Sequence, residues 1–331
     1  MRVRLRSRQA GRRVDLVLGL LVAAGVLTGL LGWSVDANLP IDPIQLHAGA
    51  ALAILLIAPW KVAVIRRGLR RAARAWSTKA LSLILAVLIL LTIGTGLLHA
   101  TGKVEYVGPL TLMQIHVGAA VGSLLAVILH FTGHAVRPRR TDADRRALLR
   151  LAVLGAGATV ATAVWDTAAA TPRRYTGSVP KPELRVTSWF DDGIQRIDRQ
   201  AWTLRVHQKE FDLDALRALP HETLTATLDC TSGWYSTQQW SGVRLTTLLE
   251  AAGVRTGTVE VRSVTGYTRW FDAHDDIWLA TALNGSPLSY GHGYPARIVA
   301  PGRRGFWWVK WVTDIQPAPR PPWAQSPYPL G

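Results

Sequence analysis

The sequence Thr227-Leu228-Asp229-Cys230-Thr231-Ser232-Gly233-Trp234-Tyr235 contains the one cysteine of a 331-residue chain, Cys230. A single cysteine excludes an internal disulfide, a four-cysteine zinc site and a cysteine-ligated iron–sulfur cluster. One thiol can still be a nucleophile or a metal ligand, or it can be a small apolar side chain in the core. The residues on either side of Cys230 decide between these roles.

Gly, Pro and Asn separate short stretches of strand-forming residues on both sides of this cysteine. These stretches are residues 201–206, 224–228, 259–264 and 297–300. Such a pattern predicts strands joined by turns, and a helix is predicted at residues 245–252. We therefore expect the second half of the chain to be a mixed α+β domain.

Further motifs follow the cysteine stretch in order and without a large gap. They are Trp240-Ser241-Gly242-Val243-Arg244-Leu245, Ser263-Val264-Thr265-Gly266-Tyr267, Leu283-Asn284-Gly285-Ser286-Pro287-Leu288, Gly291-His292-Gly293-Tyr294-Pro295-Ala296-Arg297 and Pro301-Gly302-Arg303-Arg304-Gly305-Phe306-Trp307-Trp308-Val309-Lys310-Trp311. Over roughly residues 185–316 the chain resembles the sulfite oxidase-type molybdopterin oxidoreductases. The resemblance implies the fold of that family and a molybdenum-molybdopterin cofactor.

The resemblance also implies roles for individual residues. In the family a cysteine at a strand end ligates molybdenum, and Cys230 would supply that soft thiolate. The implied cofactor contacts are Thr265, His292, Arg297, Lys310 and the backbone amides around Trp308 and Val309. Thr265, His292, Arg297 and Lys310 fall where bacterial methionine sulfoxide reductases contact their cofactor. Tyr267 would donate a hydrogen bond to a substrate oxygen, with a packing role as the alternative.

Two departures from the family pattern bear on the substrate. Sulfite-oxidising members carry basic residues shortly after the metal cysteine, whereas Trp234 and Tyr235 stand there in this chain. An aromatic pocket favours a neutral or cationic oxo-substrate over the sulfite dianion. The N-terminal stretch with which the bacterial reductases contact their cofactor has no recognisable counterpart in this sequence.

The first half of the chain is predicted to cross a membrane. Apolar runs cover residues 14–33, 44–65, 80–98 and 110–131, each about 20 residues long and almost free of charge. The alternative is four buried helices of a large soluble protein, but such helices normally keep one polar face. We therefore expect an all-α transmembrane bundle of four helices.

The charge distribution predicts how this bundle is oriented. Residues 1–13, 61–79 and 135–150 contain 19 of the 38 Lys and Arg residues. The positive-inside rule places these segments and the N-terminus in the cytoplasm. A fifth apolar run, residues 147–165, would then deliver the second half to the extracytoplasmic side of the cell membrane. Because topology explains the net charge of +16, a nucleic-acid partner is not expected.

Paired arginines precede the fifth run. The sequence Asp144-Arg145-Arg146-Ala147-Leu148-Leu149-Arg150 resembles a twin-arginine export signal, which is read by a machinery that carries folded domains. The alternative is an ordinary positive-inside anchor.

Histidines inside the apolar runs predict a haem site, since ionisable residues are rare in membrane helices without a function. His47 and His116 lie at similar depth near the outer face and would form a bis-imidazole haem b site, with His99 as a substitute ligand. Gly49 and Gly118, each two residues beyond its histidine, would leave room for the macrocycle. The alternative is that these histidines pack helices or contact quinone without iron.

A second haem is less well supported. His130 lies 14 residues after His116 on nearly the same helix face, as in di-haem membrane cytochromes. Helices 1 to 3 offer no histidine near the inner face, so a partner ligand would have to be His134 or an unusual residue. One haem is expected.

These expectations combine into one organisation. The predicted parts are a cytochrome b-like domain at 1–135, a basic loop and fifth helix at 136–170, a linker at 171–184, a molybdopterin domain at 185–318 and a Pro-rich tail at 319–331. Electrons would pass between a membrane quinone pool, haem b and molybdenum, most favourably to reduce a sulfoxide or N-oxide. The alternatives are an oxidase passing electrons to the membrane and a non-catalytic cytochrome with a degenerate molybdopterin domain.

Overall fold

The structure, a computed structural model, describes residues 2–34, 42–69, 76–133, 145–168, 173–187, 192–255 and 257–326. By its internal contacts the chain divides into two compact units. The N-terminal unit comprises residues 2–33 and the described residues from 42 to 179, and the C-terminal unit comprises the described residues from 180 to 326; strand β3, Val179–Pro180, lies on the boundary and is described with the C-terminal unit. The domain boundaries expected from the sequence stay a prediction.

The N-terminal unit is built from helices and one small hairpin. Its elements are α1 (Arg2–Ser34), α2 (Pro43–Leu69), α3 (Trp76–Ala100), β1 (Tyr106–Val107), β2 (Leu110–Thr111), α4 (Leu112–Gly133) and α5 (Arg145–Ala168). Segments long and apolar enough to span a bilayer lie in α1 to α4: Gly11–Ser34, Pro43–Ala63, Lys79–Ala100 and Leu112–His130. These segments coincide with the four predicted runs. The apolar part of α5, Leu149–Trp165, is shorter, and its crossing of the membrane stays a prediction.

Most leucine, valine and isoleucine side chains of these helices point outward. Leu27, Val87, Leu90 and Leu129, for example, are each about 60% exposed. Such an apolar exterior suits lipid and would be unfavourable in water. Inside the unit, α3 packs along α4 and α2 along α5. Lys61 Nζ of α2 pairs with Asp15 of α1 at 2.6 Å, whereas His47, earlier in α2, contacts the Gly25 carbonyl, later in α1, so α1 and α2 run antiparallel.

The C-terminal unit is a sheet-rich α+β fold. Its elements are β3 (Val179–Pro180), β4 (Leu204–Val206), β5 (Lys209–Phe211), α6 (Leu213–Ala218), β6 (Glu222–Cys230), β7 (Trp234–Arg244), α7 (Leu245–Ala251), β8 (Thr258–Ser263), β9 (Thr268–Asp272), β10 (Trp278–Leu283), β11 (Ser286–Pro287), β12 (Arg297–Val299) and β13 (Val312–Ala318). One sheet has the order β11-β10-β7-β3, with β12 paired to β10 and β6 paired to β7. The second sheet has the order β5-β4-β13-β8-β9.

Strand β7 anchors the first sheet between β6 and β10. Its residues alternate between buried and more exposed positions, as a strand covered on one face requires. Gly242 is needed in this strand because a Cβ there would lie 2.2 Å from the Leu279 carbonyl oxygen of β10. Trp240 and Leu279 lie fully buried where β7 pairs with β10, and both belong to the apolar core cluster described for this unit.

The predicted mixed α+β class is confirmed, with adjusted bounds. The strand expected at 224–228 is the longer β6, and the helix expected at 245–252 is α7, Leu245–Ala251. In the stretch expected at 201–206, only Leu204–Val206 is a strand. The Pro-rich tail contains a 3₁₀ turn at Pro322–Ala324. After it, the side-chain amide of Gln325 donates through Nε2 to the Trp270 carbonyl at 2.7 Å.

Candidate active site

Cys230 ends β6 at the tip of the long β6–β7 hairpin. The pairing runs from Glu222 opposite Gly242 to Cys230 opposite Trp234. Directly opposed residues of an antiparallel pair share a face of the sheet. Cys230 and Trp234 are therefore neighbours on one face, where both are buried in the apolar core, while Asp229 opposes Tyr235 on the other face.

Two polar groups approach the Cys230 sulfur. The Ser232 backbone N–H points at Sγ over 3.5 Å, within the turn that links the two strands. The Thr187 hydroxyl oxygen also lies 3.5 Å from Sγ. Both can donate a hydrogen bond to a thiolate, so the surroundings of Cys230 suit the deprotonated sulfur that a soft metal requires.

Asp229, the residue before Cys230, forms a buried ion pair. Arg304 donates to the Asp229 carboxylate, and the exposed fractions of the two side chains are 3% and 4%. Their backbones form a parallel bridge. The next residue is Gly305, where a Cβ would lie 3.1 Å from both the Asp229 carbonyl oxygen and Cys230 Cα. A glycine at 305 thus allows the loop between β12 and β13, residues 300–311 (the 300s loop), to pack against the strand end that carries the cysteine.

Arg297, on β12, is a fully buried cation near the cysteine. Its guanidinium carbon lies 5.2 Å from the Trp240 ring centre and 5.8 Å from that of Trp308. It donates to the backbone oxygens of His292 and Trp308, at 3.0 and 3.2 Å. The Arg297 Nε–H has no acceptor among the residues that the structure describes. Burial lowers the Arg297 pKa, and the nearby Cys230 opposes that shift.

Lys310 is a second buried cation. Its Nζ donates to the carbonyl oxygens of Thr187 at 2.5 Å and Gly291 at 2.8 Å. Burial, reinforced by the charge of Arg297, lowers the Lys310 pKa from its usual 10.5 to about 7, while Cys230 acts in the opposite direction. Lys310 can therefore hold or release a proton near neutral pH.

His292 is held by two hydrogen bonds. Its Nε2 lies 3.0 Å from the Leu184 carbonyl, which can only accept, so Nε2 carries the proton. Its Nδ1 lies 2.9 Å from the Ser289 hydroxyl and accepts from it in the neutral ring. Burial lowers the pKa of His292 and favours this neutral form.

The hydroxyl groups of Tyr267 and Thr265 form hydrogen bonds with nearby residues. The Tyr267 hydroxyl donates to the Phe306 carbonyl at 2.6 Å and accepts from Arg269 Nε at 2.8 Å. The Thr265 hydroxyl donates to the Ser263 hydroxyl at 3.2 Å. The roles expected for Tyr267 and Thr265 stay predictions, and a Tyr267 bond to substrate would have to replace the one to Phe306.

The amides expected to bind the cofactor lie in the turn that follows Gly305. The Trp308 N–H donates to the Gly305 carbonyl and the Val309 N–H to the Trp307 carbonyl, each at 3.1 Å. Their predicted cofactor contacts would compete with these bonds and stay a prediction.

Comparison with known proteins agrees with this arrangement. Residues 192–325 match the family model described as the oxidoreductase molybdopterin binding domain. The uncharacterized oxidoreductase YuiH of Bacillus subtilis is 30% identical over 152 residues, which cover 44% of this chain and 72% of YuiH. The chain belongs to the sulfite oxidase-type molybdopterin oxidoreductases.

Other relatives of this molybdopterin oxidoreductase are larger proteins. Mitochondrial sulfite oxidase of Rattus norvegicus is 31% identical over 188 residues, covering 41% of this chain and 34% of the relative. The chain spans about a third or less of the curated sulfite oxidases that it matches. Among solved structures, the sulfane dehydrogenase SoxCD of Paracoccus pantotrophus aligns with a TM-score of 0.36 and 28% identity over 38% of this chain and 40% of that one.

The residues of this oxidoreductase fit a molybdopterin cofactor. Cys230 would supply a soft thiolate, and the buried cations Arg297 and Lys310 suit an anionic, phosphate-bearing group. The Nε–H of Arg297, buried without an acceptor among the described residues, is a donor that such a group would satisfy. The fit therefore rests on both the thiolate and the charge around it.

The structure refines the aromatic pocket expected for the oxidoreductase. Only Trp234 of the two aromatic residues shares the face of Cys230. Its indole N–H is buried without an acceptor in the part of the chain that the structure describes. Trp234 therefore offers both an apolar ring and one hydrogen-bond donor, whereas Tyr235 lies on the opposite face.

Sequence reasoning missed several residues of this site. Residues 184–187 lie beside Cys230, Lys310 and His292, although no cofactor-contacting stretch was recognised there. The Asp229–Arg304 pair was also missed. The available signal was the adjacency of Asp229 to Cys230 and of Arg304 to Gly305, but neither residue type by itself indicates a site.

The N-terminal unit of the oxidoreductase brings two of its histidines together. The ring centres of His47 on α2 and His116 on α4 lie 5.8 Å apart, with an angle of 73° between the rings. His47 Nδ1 lies 2.8 Å from the Gly25 carbonyl of α1, and His116 Nδ1 lies 2.8 Å from the Thr92 carbonyl of α3. Because a carbonyl oxygen only accepts, each ring donates through Nδ1, and in the neutral ring Nε2 carries no proton.

Two glycines set the position of these rings. A Cβ at Gly29 of α1 would lie 3.1 Å from His47 Cε1, and a Cβ at Gly96 of α3 would lie 3.0 Å from His116 Cε1. A Cβ at Gly118 would meet no atom within 4 Å, so the room expected beside it stays a prediction. That expectation was wrong for Gly49, because it faces Thr159 of α5, whose Cα would be 3.0 Å from its Cβ.

The other two described histidines of the N-terminal unit lie in the last turns of their helices. His99 lies at the end of α3, and His130 lies in the last turn of α4. His134 falls outside the described residues. The described part of the chain contains no group of three or more His, Cys, Asp or Glu residues that could hold a metal ion. The expectation of one haem stays a prediction.

Proposed function

We propose that this protein is a membrane-anchored molybdopterin oxidoreductase that transfers electrons between a quinone pool, haem b and an extracytoplasmic molybdenum centre. The observation that carries the proposal is the position of Cys230, at a strand end beside the buried cations Arg297 and Lys310. A soft thiolate near two buried positive charges suits an anionic metal cofactor better than a purely structural role.

The chain's own residues have distinct tasks at this centre. Cys230 would ligate molybdenum, and Arg297, Lys310 and His292 would hold the pterin and its phosphate, with further contacts expected from Thr265 and the 308–309 amides. When bound, the cofactor supplies two-electron oxygen-atom transfer. The Lys310 pKa of about 7 is that of the cofactor-free chain, and an anionic phosphate beside Nζ would raise it and favour the charged lysine.

The histidine pair supports a haem b site in the bundle. His47 and His116 come from different helices, their rings are 5.8 Å apart, and each is oriented by a backbone carbonyl. Two imidazoles this close could both reach one metal ion placed between them, and such a group would supply one-electron transfer. His99 remains the substitute ligand if one of the two fails.

Reduction of a sulfoxide or N-oxide is the proposed reaction. Trp234 gives the face of Cys230 an apolar ring and one donor, which suits a neutral oxo group better than a dianion. The second candidate is oxidation of substrate with electrons passing to the membrane, which the name of the sulfite oxidase relatives favours.

The proposed location follows from charge and hydropathy. The protein lies in the cytoplasmic membrane with its N-terminus inside, its four apolar helices in contact with lipid and its molybdopterin domain outside. Export of that domain through the twin-arginine machinery is part of the proposal.

The test is metal analysis and a dithionite-reduced spectrum of the full-length protein purified from a cofactor-competent host. Cys230→Ser should lose the thiolate-to-molybdenum absorption band and keep the haem b bands, while His47→Ala and His116→Ala should lose the haem bands and keep molybdenum. The two sets of variants are controls for each other's folding. Wild-type protein without molybdenum would leave the non-catalytic cytochrome as the better function, and unchanged bands in both histidine variants would contradict the haem site.

A further inference from the structure

Residues Leu184–Thr187 form an irregular segment that contacts three residues expected to bind the cofactor. The Leu184 carbonyl accepts from His292 Nε2 at 3.0 Å, and the Thr187 carbonyl accepts from Lys310 Nζ at 2.5 Å. The Thr187 hydroxyl lies 3.5 Å from Cys230 Sγ. The segment therefore ties two polar cofactor residues to the metal-binding cysteine.

Packing keeps this segment in place. None of its residues belongs to a strand or a helix, so side-chain contacts have to position it. Val186 fills the space beside Gly291, where a Cβ would lie 2.7 Å from both Val186 methyl groups. The Gly291 carbonyl accepts from Lys310 at 2.8 Å. Thr187 is thus held through its carbonyl by Lys310 while its neighbour packs against the same loop.

The direction of the hydrogen bond between Thr187 and Cys230 follows from the charge of the sulfur. A thiolate has no proton, so the Thr187 hydroxyl must donate to it. The Ser232 N–H is the second donor to the same sulfur. Donors to a ligating sulfur withdraw electron density from it, which changes the reduction potential of the bound metal.

We propose that Thr187 is a positioning residue for the molybdenum thiolate, with its hydroxyl donating to Cys230 Sγ and its carbonyl fixed by Lys310. The inference rests on the proposed role of Cys230 as the metal ligand. Thr187 tunes the electron density of the sulfur and orients it, without contacting substrate itself.

The experiment compares Thr187→Val, which keeps the shape of the side chain and removes the donor, with Thr187→Ser, which keeps the donor. Thr227→Val is the matched control, because Thr227 lies on the same hairpin with its hydroxyl 2.8 Å from that of Thr237 on the exposed face. For each full-length protein we measure molybdenum per chain, the thiolate-to-molybdenum absorption band and the midpoint potential of molybdenum.

We expect Thr187→Val to shift the absorption band to longer wavelength and to lower the midpoint potential, because the sulfur becomes more electron-rich. Thr187→Ser should restore both values, and Thr227→Val should leave both unchanged. Loss of molybdenum from Thr187→Val alone, with haem retained, would also support the proposal. It is overturned if Thr187→Val matches the wild type in band and potential, or if Val and Ser variants lose molybdenum equally. Retention of the thiolate-to-molybdenum absorption band by Cys230→Ser would instead refute the proposed function.

Discussion

Asp229 carries a charge in the core next to the cysteine, and Arg304 compensates it. Both side chains are less than 5% exposed, so the charge of either residue would be costly if it stood alone. Neither residue type by itself predicted this site, since aspartate and arginine usually lie on surfaces. The pair therefore depends on the approach of the 300s loop to β6.

Arg304→Gln should destabilise the full-length protein by about 3–5 kcal/mol in the free energy of unfolding, because it leaves the Asp229 carboxylate buried without its cation. Denaturant unfolding followed by near-UV circular dichroism measures the change. Arg262→Gln is the control, since its pair with Glu260 is partly exposed, at 51% and 24%, and should be worth less than about 1 kcal/mol. Equal effects of the two substitutions would contradict the role of the buried pair.

Lys310 predicts a pH dependence of stability in cofactor-free protein. Its pKa is about 7 in the folded chain, against a usual 10.5. Between these values the unfolded chain binds more protons, so the free energy of unfolding should rise with pH, by at most about 1.4 kcal/mol per unit. Below about pH 7 Lys310 is protonated in both states, so this dependence on pH ends there and the full cost of burying the charged lysine applies. Lys310→Met should flatten the slope measured between about pH 7 and 10, whereas Met at the exposed Lys209 should not. A slope that survives Lys310→Met would contradict the assignment.

At the scale of elements, hydropathy alone located α1 to α4, because each apolar run is long enough to cross a bilayer. The partners of these helices were not predictable in the same way. Gly49 follows a histidine in sequence, yet it faces α5, while Gly29 and Gly96 on other helices face the histidine rings. Helix packing decides which glycine meets which ring.

Gly96→Ala should disturb haem binding, because the new Cβ would lie 3.0 Å from His116 Cε1. We expect about a 10-fold loss of haem affinity, the usual scale for disturbing the surroundings of a metal ligand. Haem titration of the full-length protein, followed by absorbance, measures it. Gly94→Ala, on the same helix with no atom within 4 Å of the added Cβ, should bind haem normally. Identical titrations for the two variants would show that Gly96 does not constrain the ring.

At the scale of the whole molecule, the distribution of Lys and Arg predicts the topology. The antiparallel pairing of α1 and α2 through Asp15 and Lys61 agrees with neighbouring helices that cross in opposite directions. The side of the membrane reached by the C-terminal unit depends on α5 and on the arginines at its beginning.

Arg145→Lys with Arg146→Lys should leave the C-terminal unit inside the cell if twin-arginine export carries it, because charge is kept and only the recognition pair is lost. Protease accessibility in spheroplasts measures exposure. Arg66→Lys with Arg67→Lys, in another predicted inner segment, is the charge-matched control. Normal exposure of the 145/146 variant would show that these arginines act as an ordinary positive-inside anchor.

The four apolar helices, the α+β class of the second half and the family could all be predicted from the sequence. Hydropathy, strand-forming stretches and the order of motifs around Cys230 are local properties that a reader of the chain can recognise. Cys230 is the one thiol of the chain and lies in a family-like motif, so its role as a metal ligand stays a prediction.

The surroundings of that thiol could not be predicted from the sequence and become visible in the tertiary structure. Thr187 is 43 residues from Cys230 and 123 residues from Lys310, yet it contacts both. Likewise, His47 and His116 meet with their Nδ1 atoms bonded to carbonyls of two further helices. Contacts between such distant positions depend on how sheets, loops and helices pack, because no local pattern encodes which side chains meet across the fold.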